Sequence, residues 1–329
     1  MVFDIWLPLI GGFVLLVVGG DLLVRGAVLI ASRFGVSPLV IGLTLVGFGT
    51  STPELVTSVQ AALIGAPGIA YGNIVGSNIA NMLLIVGVSA ILYPIAISSA
   101  ALRRDGVFMI AVAVVFAELA ATMPMERWIG ATFIVALCTY IYVAFRQERQ
   151  SSSPPDHGAL HDKTLALQSV DPGTIPATEP AGPITWPLMI TIGGLVLVIL
   201  GGYLLVEGAV TLAQSFGISE TVIGLTIVAV GTSLPELVTS ILAAIRKQTD
   251  VAFGSIVGSN IYNILFIGGA TALIAPGDVP SGIVRFDNVV MVGVSLVLVF
   301  FAWTGLRIAR WEGLALLAGY GVYAYVLWP

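Results

Sequence analysis

The sequence predicts an all-α polytopic membrane protein, with ten transmembrane helices in two inverted five-helix repeats. Three observations carry that reading. The first is composition: 57% of the 329 residues are hydrophobic and 9% charged, with a mean hydropathy of +1.03. A soluble domain carries about 25% charged residues, so a soluble enzyme, a nucleic-acid binder or a disordered scaffold fits poorly. The second is a succession of ten apolar runs parted by short polar breaks, each near the roughly 20 residues a bilayer-spanning helix needs. The third is that the chain repeats itself after 182 residues.

The elements follow in order. The first run, residues 5–30, comes directly after MVFD. With no basic n-region and no small-residue cleavage site, it is expected to remain as a helix and not to be removed as a signal peptide. The second run, 38–64, carries GTSTPELVTS at 49–58, and the third, 69–95, carries GNIVGSNIANML at 72–83. Runs at 104–122 and 127–145 complete a first half, residues 1–147. Residues 148–185 hold six prolines and no long apolar stretch, which reads as a flexible cytoplasmic linker. His157 and His161 fall there at i, i+4, but Pro and Gly nearby favour a solvated loop over a helical metal site. The second half, 186–329, carries runs at 186–211, 219–245, 251–275, 286–305 and 311–328. The lone cysteine, Cys138, cannot form an intramolecular disulfide, and a net charge of −5 points to no particular partner.

The repeat is ungapped over Gly19–Gly87 against Gly201–Gly269, where 41 of 69 positions are identical. Weaker likeness continues, with Arg103, Asp105 and Met109 falling on Arg285, Asp287 and Met291. Five spans per repeat is an odd number, so the halves must insert in opposite senses. The basic residues agree: with the N-terminus outside, eleven of the 13 Lys and Arg lie on the inner side and only Arg127 and Arg285 outside. That bias follows the positive-inside rule. It places both termini externally and the linker in the cytoplasm, with the cell (inner) membrane as the expected location. Inverted repeats are common in secondary transporters, whose sites lie mid-membrane where the repeats meet.

The few acidic residues then become informative. Most of the 18 lie in loops or near span ends, but Glu54 and Glu236 sit mid-span at repeat-related positions with no Lys or Arg beside them in sequence. A charge at mid-bilayer costs at least about 2.5–3.5 kcal/mol on insertion scales and usually marks function. Pro53 and Pro235 precede them, and a proline cannot bond the carbonyl four residues back, so each helix should be interrupted with a backbone oxygen freed. Thr50 and Ser51, like Thr232 and Ser233, precede the glutamates by four and three residues, the spacing of one helical face. In the following span Ser77 and Asn81 stand at i, i+4, as do Ser259 and Asn263. Carboxylate, hydroxyl, amide and backbone oxygens are hard ligands suited to Ca²⁺ or Na⁺ and not to zinc or copper. Simpler roles compete. Ser and Thr in membrane helices often bond their own i−4 carbonyl. Gly72, Gly76, Gly254 and Gly258 suit close helix packing, and Asn78 and Asn260 suit interhelical bonding. Asp21, Glu118 and Glu207 receive no role.

The duplicated GTS-x-PEL and GSNI-x-N strings resemble the alpha repeats of the sodium/calcium exchangers, in the cation/calcium antiporter superfamily. The resemblance covers both halves and leaves out the linker. It implies ten helices in two inverted halves, with four central helices forming the site. It further implies that Glu54 and Glu236 hold a central Ca²⁺, to which Thr50 and Thr232 add carbonyl oxygens. Ser51, Ser233, Ser77 and Ser259 would help hold Na⁺ in flanking sites closed by the carbonyls of Gly47 and Ala229, with Asn81 and Asn263 completing the floor. The first and sixth spans would be the moving gate. Some relatives, among them the potassium-dependent branch, carry Asp where this chain has Asn263, which weighs against K⁺ cotransport. Proton-coupled relatives carry a GNAxE-like motif in place of GTS-x-PEL, so its absence favours sodium.

The expected function is therefore secondary active exchange of Na⁺ for Ca²⁺ at a mid-membrane carboxylate/hydroxyl site, with the two ions as substrates, no cofactor and no nucleic-acid partner. A Ca²⁺/H⁺ antiporter using the same glutamates is a rival. A passive cation channel, with the glutamates as a selectivity ring, is another. An intramembrane enzyme fits less well, since the chain has no HExxH motif and no span carries a histidine. Oligomeric state is not encoded in any of these signals.

Overall fold

In the computed structural model the described residues are 2–34, 38–63, 65, 67–151, 184–215 and 229–327. The central part of the expected linker, with His157 and His161, lies outside them, as does the start of the seventh expected span. What is described is almost entirely helical. Helix α1 is Val2–Phe34. Helices α2 (Pro38–Thr50) and α3 (Thr52–Leu63) meet at a 45° bend. Helices α4 (Pro67–Leu92), α5 (Ser99–Thr122) and α6 (Arg127–Ser151) complete the first half. The second half holds α7 (Thr185–Ser215), the short α8 (Ala229–Thr232), α9 (Leu234–Ile245), α10 (Thr249–Ile274), α11 (Ile283–Gly305) and α12 (Arg310–Leu327).

Among the described residues seven helices are long and apolar enough to cross a membrane, and eight if the bent α2–α3 pair is one span. The others differ for identifiable reasons. Helix α9 is described only from Leu234, after the undescribed 216–228. Helix α12 has 18 residues but carries Arg310 and Glu312 at its start and three tyrosines along it.

Burial sorts the helices. In α4 and α10, 78% and 94% of the apolar stretch is buried, against 28–39% in α1, α5, α6, α7 and α11. These two therefore form the centre, and the other five leave one face uncovered by protein. Their neighbours approach through small residues. A Cβ on Gly254 would lie 2.5 Å from the Leu39 carbonyl oxygen, and one on Gly258 would collide with the Leu43 carbonyl, so α2 and α10 touch backbone to backbone. The segment that would stand in the same relation to Gly72 and Gly76 lies outside the described residues.

The long helices α1 and α7 run antiparallel along each other. Gly26 meets Thr191, Gly19 meets Gly194 and Leu197, Leu16 meets Gly201, and Leu9 meets Gly208, so one chain descends as the other rises. Other contacts come in repeat-related pairs. The end of α4 packs on α12 through Gly87 against Gly313, and the end of α10 packs on α6 through Gly269 against Gly130. Strand β1 (Ile95–Ala96) pairs antiparallel with β2 (Arg307–Ile308), while Met125 bridges Gly277. Tyr140 donates to Asp105 at 2.9 Å, and Tyr323 donates to Asp287 at 2.8 Å.

Candidate functional site

The site forms where α2 breaks into α3, α8 breaks into α9, and α4 and α10 pass between. Each break falls on a serine. Ser51 has φ −80°, ψ 7°, and Ser233 has φ −90°, ψ 7°, both off the helical values just before a proline two residues on. The chain re-forms helix at once, with Leu55 N–H donating to Ser51 O and Leu237 N–H to Ser233 O, each at 3.1 Å. The glutamates occupy the first turns of α3 and α9, where the N-terminal helix dipole favours a carboxylate. Both are 1% exposed.

The breaks redirect the serines. Because the bend ends the shared helical face, Ser51 does not bond Glu54. Its hydroxyl donates across the repeats to Glu236 Oε1 at 3.1 Å, and Ser233 donates to Glu54 Oε1 at the same distance. This reciprocal pair joins the two halves at their carboxylates. Ser259 lies 3.4 Å from both Glu236 Oε1 and the Gly47 carbonyl oxygen, and Ser233 lies 3.4 Å from Ser77 Oγ. Hydroxyl bonds to a charged acceptor contribute about 1.5–3 kcal/mol each, so the network offsets part of the cost of burial.

Part of the oxygen set has no protein partner. Glu54 Oε2, Glu236 Oε2, Asn81 Oδ1 and both polar side-chain atoms of Asn263 are buried and unbonded. An unsatisfied buried polar atom costs about 1–3 kcal/mol, more if charged. A cation converging on the four oxygens among them would remove their share of that cost, while the Asn263 amide nitrogen, a donor, would take no part. Ser77 and Asn81 flank the midpoint of Pro67–Leu92, and Ser259 and Asn263 flank that of Thr249–Ile274, so the set lies half-way along the two central helices. Among the described residues no group of three or more His, Cys, Asp or Glu exists that could hold a metal, so any cation here is met chiefly by neutral oxygens around two carboxylates.

The remaining expected residues are placed as follows. The Thr50 hydroxyl donates to Val46 O at 3.0 Å on its own helix and stands beside the Glu236 carboxylate. Gly47 lends its carbonyl to Ser259 and to Ser51 N–H. Ala229 opens α8 and Thr232 closes it, one residue before the break. Asn260 accepts from Asn81 Nδ2 at 3.3 Å and lies 3.6 Å from Met109 Sδ, an interhelical role, whereas Asn78 donates to Ile74 O on its own helix.

Two features lie beyond the sequence reading. Asn73 donates to the Glu54 carbonyl oxygen at 3.1 Å and to Ser58 Oγ at 2.9 Å, which ties α3 to α4 directly behind the glutamate. The signal for it was present: Asn73, Ser77 and Asn81 are polar at every fourth position of one apolar helix. The other is the π-helical turns that begin at the site asparagines, Asn81–Ile85 in α4 and Asn263–Gly268 in α10. Such turns recur at functional sites because they rotate a side chain off the regular helical row.

Comparison with known proteins gives the chain's family and its structural relatives. The family model described as sodium/calcium exchanger protein matches residues 5–146 and, separately, 186–328. The putative antiporter CaxA of Alkalimonas amylolytica is 37% identical, over 96% of both chains. The sodium/calcium exchanger MaX1 of Methanosarcina acetivorans is 36% identical, over 98% of both. A solved structure of the sodium-calcium exchanger NCX_Mj, soaked with zero Na⁺ and Ca²⁺, superposes with a TM-score of 0.84 at 30% identity, covering 99% of this chain and all of that one.

Proposed function

The chain belongs to the sodium/calcium exchanger protein family, and from that premise we propose that it exchanges Na⁺ for Ca²⁺ across the membrane by alternating access to one shared pocket. The observation that carries this is the pair of buried glutamates, each bonded by the other repeat's serine and each keeping one oxygen without a protein partner. Glu54 and Glu236 bind Ca²⁺ centrally, with the Thr50 and Thr232 carbonyls. Ser51, Ser77, Ser233 and Ser259 hold Na⁺ in flanking positions, with the carbonyls of Gly47 and Ala229 and with Asn81 and Asn263 at the floor.

Coupling follows from charge. The two carboxylates supply about −2, which one Ca²⁺ neutralises and which several Na⁺ also neutralise. Both loads together would set cations a few ångströms apart in low dielectric, with repulsion of several kcal/mol. Each load therefore excludes the other. An empty pocket leaves bare carboxylates and resists the switch between its two openings, so net movement requires exchange.

Ten helices in two inverted halves, 1–147 and 186–329, separated by a cytoplasmic linker at 148–185 and with external termini, are the framework of this proposal. It is supported by the antiparallel course of α1 against α7, by the repeat-related contacts of α4 with α12 and α10 with α6, and by the two separate family matches. The distribution of Lys and Arg supports the orientation.

The experiment is ⁴⁵Ca²⁺ uptake into proteoliposomes under separately imposed Na⁺, K⁺ and pH gradients. An outward Na⁺ gradient alone should drive uptake. Uptake driven by a pH gradient alone would make the protein a Ca²⁺/H⁺ antiporter, and uptake with no counter-ion would make it a channel.

A further inference from the structure

Away from the ion pocket, α5 and α11 border a cavity of about 330 Å³, lined by Val114, Ala117, Glu118, Ala121, Val284, Asn288, Val289 and Val292. That volume lies within the range of small-ligand sites, roughly 300–1,000 Å³. Six of its lining residues are valine or alanine, and two are polar. Asn288 is 1% exposed, and neither its amide nitrogen nor its amide oxygen has a hydrogen-bond partner. Glu118 is exposed on the same cavity. An orphaned amide beside a carboxylate, at the edge of a membrane-spanning apolar wall, calls for a ligand that brings both a donor and an acceptor.

Depth narrows the ligand. Glu118 lies four residues from the end of Ser99–Thr122, and Asn288 five residues from the start of Ile283–Gly305. At 1.5 Å per residue both sit about 6–8 Å inside the helix ends. A helix of this length exceeds the roughly 30 Å hydrocarbon layer by a few ångströms at each end, so both groups fall just beneath its boundary. A bare metal ion is a poor match, since Ca²⁺ takes six to eight oxygens and these two side chains offer three. A primary ammonium matches the carboxylate and the amide oxygen. A phosphodiester beside it would accept from the Asn288 amide N–H, with Arg285, exposed one turn before Val289, on the water side. The valine and alanine walls fit an acyl chain.

We propose that this cleft binds a phospholipid whose headgroup carries a primary ammonium, of the phosphatidylethanolamine type, with Glu118 holding the ammonium and Asn288 bridging to the phosphate. The site is separate from the ion pocket and does not depend on what the pocket transports.

The test uses the full chain in nanodiscs of phosphatidylcholine alone, or with one fifth replaced by phosphatidylethanolamine or by phosphatidylglycerol. Thermal unfolding is followed together with native mass spectrometry of retained lipid. Phosphatidylethanolamine should raise the unfolding temperature by at least about 2 °C, the size expected of a site worth about 1 kcal/mol, and should be retained preferentially. Glu118→Gln, at an exposed position, should unfold as the parent does in phosphatidylcholine and lose the increment. Equal stabilisation by all three compositions, an equal effect of phosphatidylglycerol (phosphate without ammonium), or an increment kept by Glu118→Gln would each overturn the assignment.

Discussion

Glu54 and Glu236 stand at repeat-related positions, yet the helices that carry them are tied down differently. On the side facing the pocket each glutamate accepts a 3.1 Å hydrogen bond from the serine of the other half and keeps one oxygen free of protein partners, and Glu236 also has Ser259 Oγ at 3.4 Å. Behind the glutamates the halves diverge. Asn73 clamps the Glu54 carbonyl and Ser58. Its counterpart after 182 residues is Ser255, and the counterpart of Ser58 is Ser240. Both of these hydroxyls are buried without a partner, because a serine side chain is too short to make the bridge that the amide makes. The duplicated chain has kept the atoms that face the pocket and let the supporting layer drift. Among the described residues, the second half lacks this clamp behind its glutamate.

The largest effects should be equal in the two halves. Glu54→Gln and Glu236→Gln should each reduce Na⁺-driven ⁴⁵Ca²⁺ uptake to the level of protein-free liposomes while membrane insertion, followed by fractionation, is unchanged. Substantial uptake by one of them would break the equivalence of the arms.

Next come the serines. Ser51→Ala and Ser233→Ala each remove one hydroxyl-to-carboxylate bond, worth about 1.5–3 kcal/mol, or roughly a 10- to 150-fold change. The change should appear in the Na⁺ concentration for half-maximal exchange more than in that for Ca²⁺, and by a similar factor in both variants.

The third comparison should be unequal. Asn73→Ala leaves the Glu54 side without its clamp and should destabilise by about 1–2 kcal/mol, whereas Ser255→Ala removes an unbonded buried hydroxyl and should be neutral or slightly stabilising. Thermal unfolding of the two variants side by side reads the difference, and equal losses would show that the arms are supported alike.

The smallest effect belongs to the partly exposed ion pairs of Asp21. Asp21 pairs with Arg25 at 2.9 Å and with Arg246 of the segment after α9, but these side chains are 25–56% exposed. Asp21→Asn should cost less than about 1 kcal/mol, and the loss should shrink further in high salt.

Much of this arrangement can be read from the residues, and the rest is hidden for physical reasons. The apolar runs and the prolines at 53 and 235 mark the helices and their interruptions, because a missing N–H acts locally. The pairing of Ser51 with Glu236 is not legible, since helical spacing puts Ser51 on the face of Glu54 and only the 45° bend at the break turns it across to the other half. The π-helical turns at Asn81 and Asn263 leave no trace in the hydrophobic pattern, because one extra residue in a uniformly apolar helix changes no period that can be counted. Asn73 carries no repeat signal, because its copy 182 residues on is Ser255.

In the proposed mechanism one pocket, built from both glutamates, takes either Ca²⁺ or Na⁺ and never both. Calorimetric titration of the purified protein with Ca²⁺ at a series of Na⁺ concentrations tests it directly. One Ca²⁺ site is expected, with an apparent affinity that falls steadily as Na⁺ rises, and no such site in Glu54→Gln or Glu236→Gln. Ca²⁺ binding that is indifferent to Na⁺, or that survives in either variant at parental affinity, would contradict it.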